Sequence, residues 1–184
     1  MCLYYYSLPY VKFYTLAKWR EFKTGDKMDK KKLISEGYMA LVIKAHTTNV
    51  KVSAICKQAQ ISRKTFYYYF KDKHDIIEYI FCEEIEQTMI NGLKYGIDQK
   101  AQAIITYREF LKHKDFFMIA MEEVGQNSLF EIIIHRCTQF CRQTFDEYFD
   151  DKIALDYLAY KYASTSAMLL KNGCIQACKR VRNF

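Results

Sequence analysis

Apolar residues along this chain recur at helical intervals for most of its length, broken by short polar stretches. From residue 29 to about 46, Leu33, Ile34, Met39, Leu41, Val42 and Ala45 recur every three to four residues, which predicts a helix. Thr47-Thr48-Asn49 interrupts it with cap- and turn-forming residues. A short second helix follows over 52–59 and buries Val52, Ile55 and Ala59. Gln60-Ile61 makes a turn, and Ser62 caps a third helix over 63–69, since its hydroxyl can accept a first-turn backbone N–H. Asp72 is placed to cap a longer fourth helix whose buried stripe is Ile76, Ile77, Ile80, Ile85 and Met89. Asn91-Gly92 and Tyr95-Gly96 are its stop signals. Further helices are expected over 99–113, 115–123, 127–149 and 152–171, with an acidic corner at 146–151. Asn172-Gly173 is a helix stop ahead of the basic tail 179–182.

Composition agrees with an all-α chain. Among 184 residues there are one proline and six glycines, so breakers are scarce. Half the residues are hydrophobic and about a quarter charged, which excludes a disordered chain. No run approaches the ~18 apolar residues of a membrane span, and no signal peptide is evident. Seven cysteines, an odd number, at 2, 56, 82, 137, 141, 174 and 178 read as free thiols of a reducing compartment, hence a cytoplasmic location.

The net charge of +7 becomes informative once located. Residues 1–75 carry fifteen Lys/Arg against six acids, whereas residues 76–184 carry thirteen against fifteen. A basic block joined to a near-neutral one suggests a polyanion-binding module attached to something else, with a merely solvated basic surface as the alternative. Residues 1–27 fit poorly with the helical pattern that begins at Met28. Either the natural start is Met28 and this stretch is a mis-called extension, or it is a basic, aromatic arm that touches DNA or packs on the body.

Two short helices joined by a tight turn over 51–70 form a helix-turn-helix, whose second helix presents its N-terminal residues to base edges in a major groove. Phe66 and Phe70 belong on its buried side, which leaves Arg63, Lys64, Thr65 and Tyr67 more exposed. Arg and Lys donate to guanine, the Thr methyl touches a thymine methyl, and Tyr67 and Tyr69 can donate to phosphates. At the start of the fourth helix, the Lys73 ammonium and free backbone N–H groups suit one further phosphate. The plainer reading of 51–73 is an ordinary helical hairpin with an aromatic core.

The segment 52–73, VSAICKQAQISRKTFYYYFKDK, resembles the signature of the TetR family of bacterial regulators at Ile55, Ala59, Ser62, Thr65, Phe66-Tyr67, Phe70 and Lys73. The likeness covers about 28–88. It implies a three-helix DNA-binding domain over 28–88 and a helical effector and dimerisation domain over 89–184. It also implies double-stranded DNA as partner, base contacts from Arg63, Lys64 and Thr65, and phosphate contacts from Tyr67, Tyr69 and Lys73. Lys51, Ser53 and Ser62 complete the expected DNA-binding set. Two residues depart from the family pattern. Gln60 stands where glycine is usual, so it must take a left-handed or reshaped backbone, and Cys56 replaces a small alanine.

By the same resemblance, the last two helices pair with their copies in a homodimer, and a small molecule or protein acts as effector. The stretch 107–129 is similar to TetR-type regulators of dihydroxyacetone kinase operons, which would admit a protein effector. Repression is the commoner outcome in the family. A helical interaction adaptor that has lost operator binding is the reading from another class.

Cys137 and Cys141 stand four apart on one helix face, as do Cys174 and Cys178, with His135 nearby. Two thiolates at that spacing can bind a metal or sense oxidants. Free cysteines are, however, among the most buried residues, and no second Cys/His pair completes four ligands, so no metal or cofactor is assigned. His46, His74 and His113 read as surface or cap residues. No nucleophile–base pair, phosphate loop or catalytic carboxylate pair is present, and enzyme activity is not expected.

Overall fold

The computed structural model describes residues 26–181, so all but the last two residues of the extension at 1–27, and the end of the basic tail, lie outside the described residues. The described chain is all-α: α1 (Asp26–Ala45), α2 (Val52–Gln58), α3 (Arg63–Tyr69), α4 (Lys73–Phe81), α5 (Gln87–Lys94), α6 (Gln99–Lys112), α7 (Lys114–Glu122), α8 (Leu129–Phe145) and α9 (Lys152–Val181). A π-helical turn, Cys82–Glu86, joins α4 to α5 without a break, and a 3₁₀ turn, Asp146–Tyr148, follows α8. None of these helices is long and apolar enough to cross a membrane.

One contiguous core runs from α1 to α9. On α1 the buried hydrophobic residues are Ile34, Tyr38 and Val42, whose spacing of four puts them on one face. Leu33 and Ala45, expected in the same stripe, fall outside that face and are exposed. The place of a second aliphatic is taken by Tyr38, which is fully buried and can be so because its hydroxyl donates to the Thr48 carbonyl at 3.0 Å. Burial first, and the Glu123 charge second, push its phenol well above the usual tyrosine range. Its ring meets Phe116 of α7 edge-on. The core continues through Phe66 and Phe70, Ile76, Ile77, Ile80 and Phe81, Phe110 stacked on Phe117, Ile132 to Ile134, and Ala163 and Ala167.

Two helix boundaries differ from expectation. The expected stop at Asn91-Gly92 is passed, and α5 closes just before Tyr95-Gly96, where the Ile97 N–H donates to the Gly92 carbonyl. The expected stop at Asn172-Gly173 is also passed, since α9 continues to Val181. A glycine inside a helix costs only about 1 kcal/mol against alanine. Gly173 also lies under the Tyr107 ring, where an added Cβ would come within 3.4 Å of Cε2.

Candidate nucleic-acid interface

The connection between α2 and α3 is a Schellman turn. The Ile61 N–H donates to the Cys56 carbonyl at 3.0 Å and the Gln60 N–H to the Lys57 carbonyl at 3.3 Å. That pattern requires a left-handed residue after the cap, and Gln60 supplies it with φ 52°. The residue that departs from the family's glycine thus adopts the glycine's conformation, and the turn keeps its shape. The same device ends α1, where His46 has φ 50° and the Thr47 N–H reaches the Val42 carbonyl at 3.4 Å.

Ser62 then starts α3. Its extended backbone lets Oγ accept the Thr65 N–H at 3.0 Å, and the two hydroxyls lie 2.9 Å apart. The Thr65 hydroxyl is therefore engaged in the cap, and only its methyl remains for a base. Phe66 and Phe70 anchor the helix in the core, as expected. Burying two such rings is worth roughly 1.5–3 kcal/mol each, which holds a seven-residue helix that could not stand alone.

With that side fixed inward, Arg63, Lys64, Tyr67 and Tyr68 occupy the exposed side of α3. Tyr67 and Tyr68 are 59% and 64% exposed, far more than their apolar rings favour in a helix with no outside role. Tyr68 was not in the expected set. Its position four residues after Lys64, on the face opposite Phe66, was the signal available. Tyr69 is half-buried, its ring meeting that of Tyr68 edge-on. Lys51, at the cap of α2, and Ser53, in its first turn, are exposed too. Among the described residues no carboxylate pairs with Lys51, Arg63 or Lys64.

Residues 39–80 match the family model for bacterial regulatory proteins of the tetR family. The match supports a DNA-binding transcription regulator. The match takes in the last third of α1, all of α2 and α3, and α4 up to Ile80, so it stops just before the π-turn. No curated protein and no solved structure matches the chain.

Lys73 is placed differently from the other residues of the TetR-type segment. Its ammonium donates to Asn49 Oδ1 at 3.2 Å and lies 3.9 Å from Glu123 Oε1, at the end of α7. The backbone N–H groups expected to assist it are already taken. Asp72 Oδ1 accepts from His74 at 2.7 Å and from Asp75 at 3.1 Å, while Asp75 Oδ2 accepts the Lys71 N–H. What remains there for a phosphate is the lysine ammonium itself.

Cys137 and Cys141 are buried on α8. Burial and then the neighbouring Cys141 push the Cys137 thiol up to about 12, and burial pushes Cys141 up to about 11. Both are protonated at neutral pH and point to packing rather than to thiolate chemistry. Among the described residues no three His, Cys, Asp or Glu side chains gather as a metal-binding group.

Proposed function

We propose that the chain is a sequence-specific transcription regulator that binds a near-palindromic operator as a homodimer in the cytoplasm, most simply as a repressor. The observation that carries this reading is the outer face of α3. A Ser62 cap and two buried phenylalanines hold Arg63, Lys64, Tyr67 and Tyr68 outward, with no acid opposing the two cations. That combination suits base edges flanked by phosphates.

The division of labour follows the helices. Residues 28–88 would read DNA, and residues 89–184 would dimerise and receive an effector, either a small molecule or, on the likeness of 107–129, a protein. Support for the dimer comes from α9. Leu155, Ala159, Ala163 and Ala167 bury one stripe against the core, while Ile153, Tyr157, Tyr160 and Met168 leave an apolar stripe open. To read both half-sites, a second copy seated there would have to set the two α3 helices about one helical turn of DNA apart, ~34–36 Å.

The test is a titration onto duplex DNA from just upstream of the chain's own gene, at ~50 and ~200 mM salt with excess random competitor. Binding that survives competitor and is lost selectively in Arg63→Ala is expected. A protein that binds only non-specifically, and equally well as Arg63→Ala, would overturn the operator reading in favour of an adaptor.

A further inference from the structure

The corner between α7 and α8 grips the reading head at the start of α4. Glu123 ends α7, and its two carboxylate oxygens face different partners. Oε1 lies 3.9 Å from the Lys73 ammonium, and Oε2 accepts the Thr48 hydroxyl. Thr48 is itself fixed, being 2% exposed with its carbonyl bonded to the Tyr38 hydroxyl. Glu123 is therefore a carboxylate anchored at one oxygen and aimed with the other, not a mobile surface acid. Four residues on, the Asn127 carbonyl lies 3.0 Å from His74 Nδ1. Between these two contacts the corner turns through Gly125 at φ 124° and Asn127 at φ 63°.

We propose that Glu123 competes with a DNA phosphate for the Lys73 ammonium, so that the α7–α8 corner is an electrostatic latch on the reading head. The inference rests on the DNA-binding function proposed for α3. The Lys73 and Glu123 side chains are 20% and 31% exposed, so an incoming phosphate can reach the ammonium. It cannot do so without placing a second anion beside the Glu123 carboxylate, and like charges at such range repel. Duplex binding therefore either displaces the corner or proceeds with weakened contact at Lys73. An effector or partner that draws the corner away frees Lys73 and raises affinity. By reciprocity, DNA loosens the corner to the same extent.

Four full-length proteins test this: wild type, Glu123→Gln, Lys73→Met and the double variant. A phosphate contact carries no sequence information, so a short random-sequence duplex at ~50 mM salt is the probe. The amide introduced by Glu123→Gln keeps an acceptor for Thr48 and removes the competing charge. Glu123→Gln is expected to bind about two- to fivefold more tightly than wild type, the range a partly exposed ion pair supports. Lys73→Met is expected to bind more weakly, and the double variant to bind no better than Lys73→Met. Glu123→Asp retracts the carboxylate at unchanged net charge, and is expected to tighten binding in the same direction. An unchanged affinity in Glu123→Gln, or an equal gain without Lys73, would overturn the latch while leaving the DNA-binding reading intact. Failure of all four proteins to bind duplex would overturn both.

Discussion

Arg136 Nη2 lies 2.6 Å from Glu86 Oε2, and Nη1 of the same guanidinium lies 3.8 Å from Glu78 Oε1. Glu78 lies in α4 and Glu86 is the last residue of the π-turn, so one arginine of α8 ties the turn to the helix that precedes it. Cys82 lies between them in sequence and hydrogen-bonds Glu86. Burial first, and the Glu86 charge next, raise its thiol far above the usual range. Burial opposes the Arg136 charge, but the bond to Glu86 and the charges nearby more than offset it, and the guanidinium stays above its ordinary range. With side chains only 8% and 16% exposed, the Glu86–Arg136 pair falls among buried ion pairs, where removing one partner strands the other. Arg136→Met should destabilise the protein by roughly 3 kcal/mol, and adding Glu86→Met should recover most of the loss. Denaturation midpoints of wild type, single and double variants measure both, and a double variant as weak as the single would remove the stranded-charge explanation.

Gln60 offers the opposite kind of substitution. A non-glycine residue at φ 52° carries a left-handed cost of about 1 kcal/mol or more, partly offset by the chain entropy that glycine would bring to the unfolded state. Gln60→Gly is expected to stabilise by about 0.5 kcal/mol, a rise in melting temperature of about 1–2 °C. Gln60→Val, β-branched at the same φ, is expected to lower it by more. A loss of stability in both variants would mean that the Gln60 side chain makes a contribution its conformation does not reveal.

Helix positions in the reading head were legible because local chemistry decides them. Ser62, Asp72 and the Phe66/Phe70 spacing each act within one turn of chain, whereas the left-handed or reshaped backbone expected at Gln60 came from the glycine that the family resemblance places there. What could not be read are contacts between elements far apart in sequence. Nothing near Lys73 announces Glu123, fifty residues on. Tyr38 counts as a polar-tipped aromatic until its hydroxyl finds the Thr48 carbonyl. The glycine at 173 reads as a stop because periodicity cannot show that Tyr107 will cover it.

The thiols of α8 predict a loss of alkaline stability. Cys137 and Cys141 titrate near 12 and 11 in the folded chain against an ordinary thiol value of 9.0. Above pH ~9 the unfolded chain releases protons that the folded chain retains, so unfolding is favoured progressively. The contribution of these thiols is fully present below pH 9 and is lost as the pH climbs towards 11 and 12. Denaturant midpoints are expected to be level from neutrality to about pH 8.5 and to fall beyond it, with a shallower fall in Cys137→Ala/Cys141→Ala. An identical slope in the double variant would assign the alkaline loss to other groups.

On α9, Ile153 is 82% exposed, Tyr157 67% and Tyr160 58%, on the side of the helix away from Leu155 and Ala159. Isolated exposed apolar residues need no explanation, but these three together with Met168 line one face of the helix. Arg142 of α8 pairs with Asp156 beside this stripe, with Nε 2.6 Å from Oδ1, so the stripe is flanked by polar contacts as the centre of an interface would be. A second copy related by a two-fold axis would bring Tyr157 against the same stripe of its mate, where a carboxylate would be desolvated without a partner. Tyr157→Glu is expected to convert a dimer to a monomer in sedimentation equilibrium while leaving the helical content unchanged. Each monomer would keep an intact α3, so it should still bind a single half-site. What it loses is the effective concentration that couples the second half-site to the first, and affinity for the full site should fall by about 10²-fold or more. A Tyr157→Glu protein that stays dimeric would place the subunit contact elsewhere on the body.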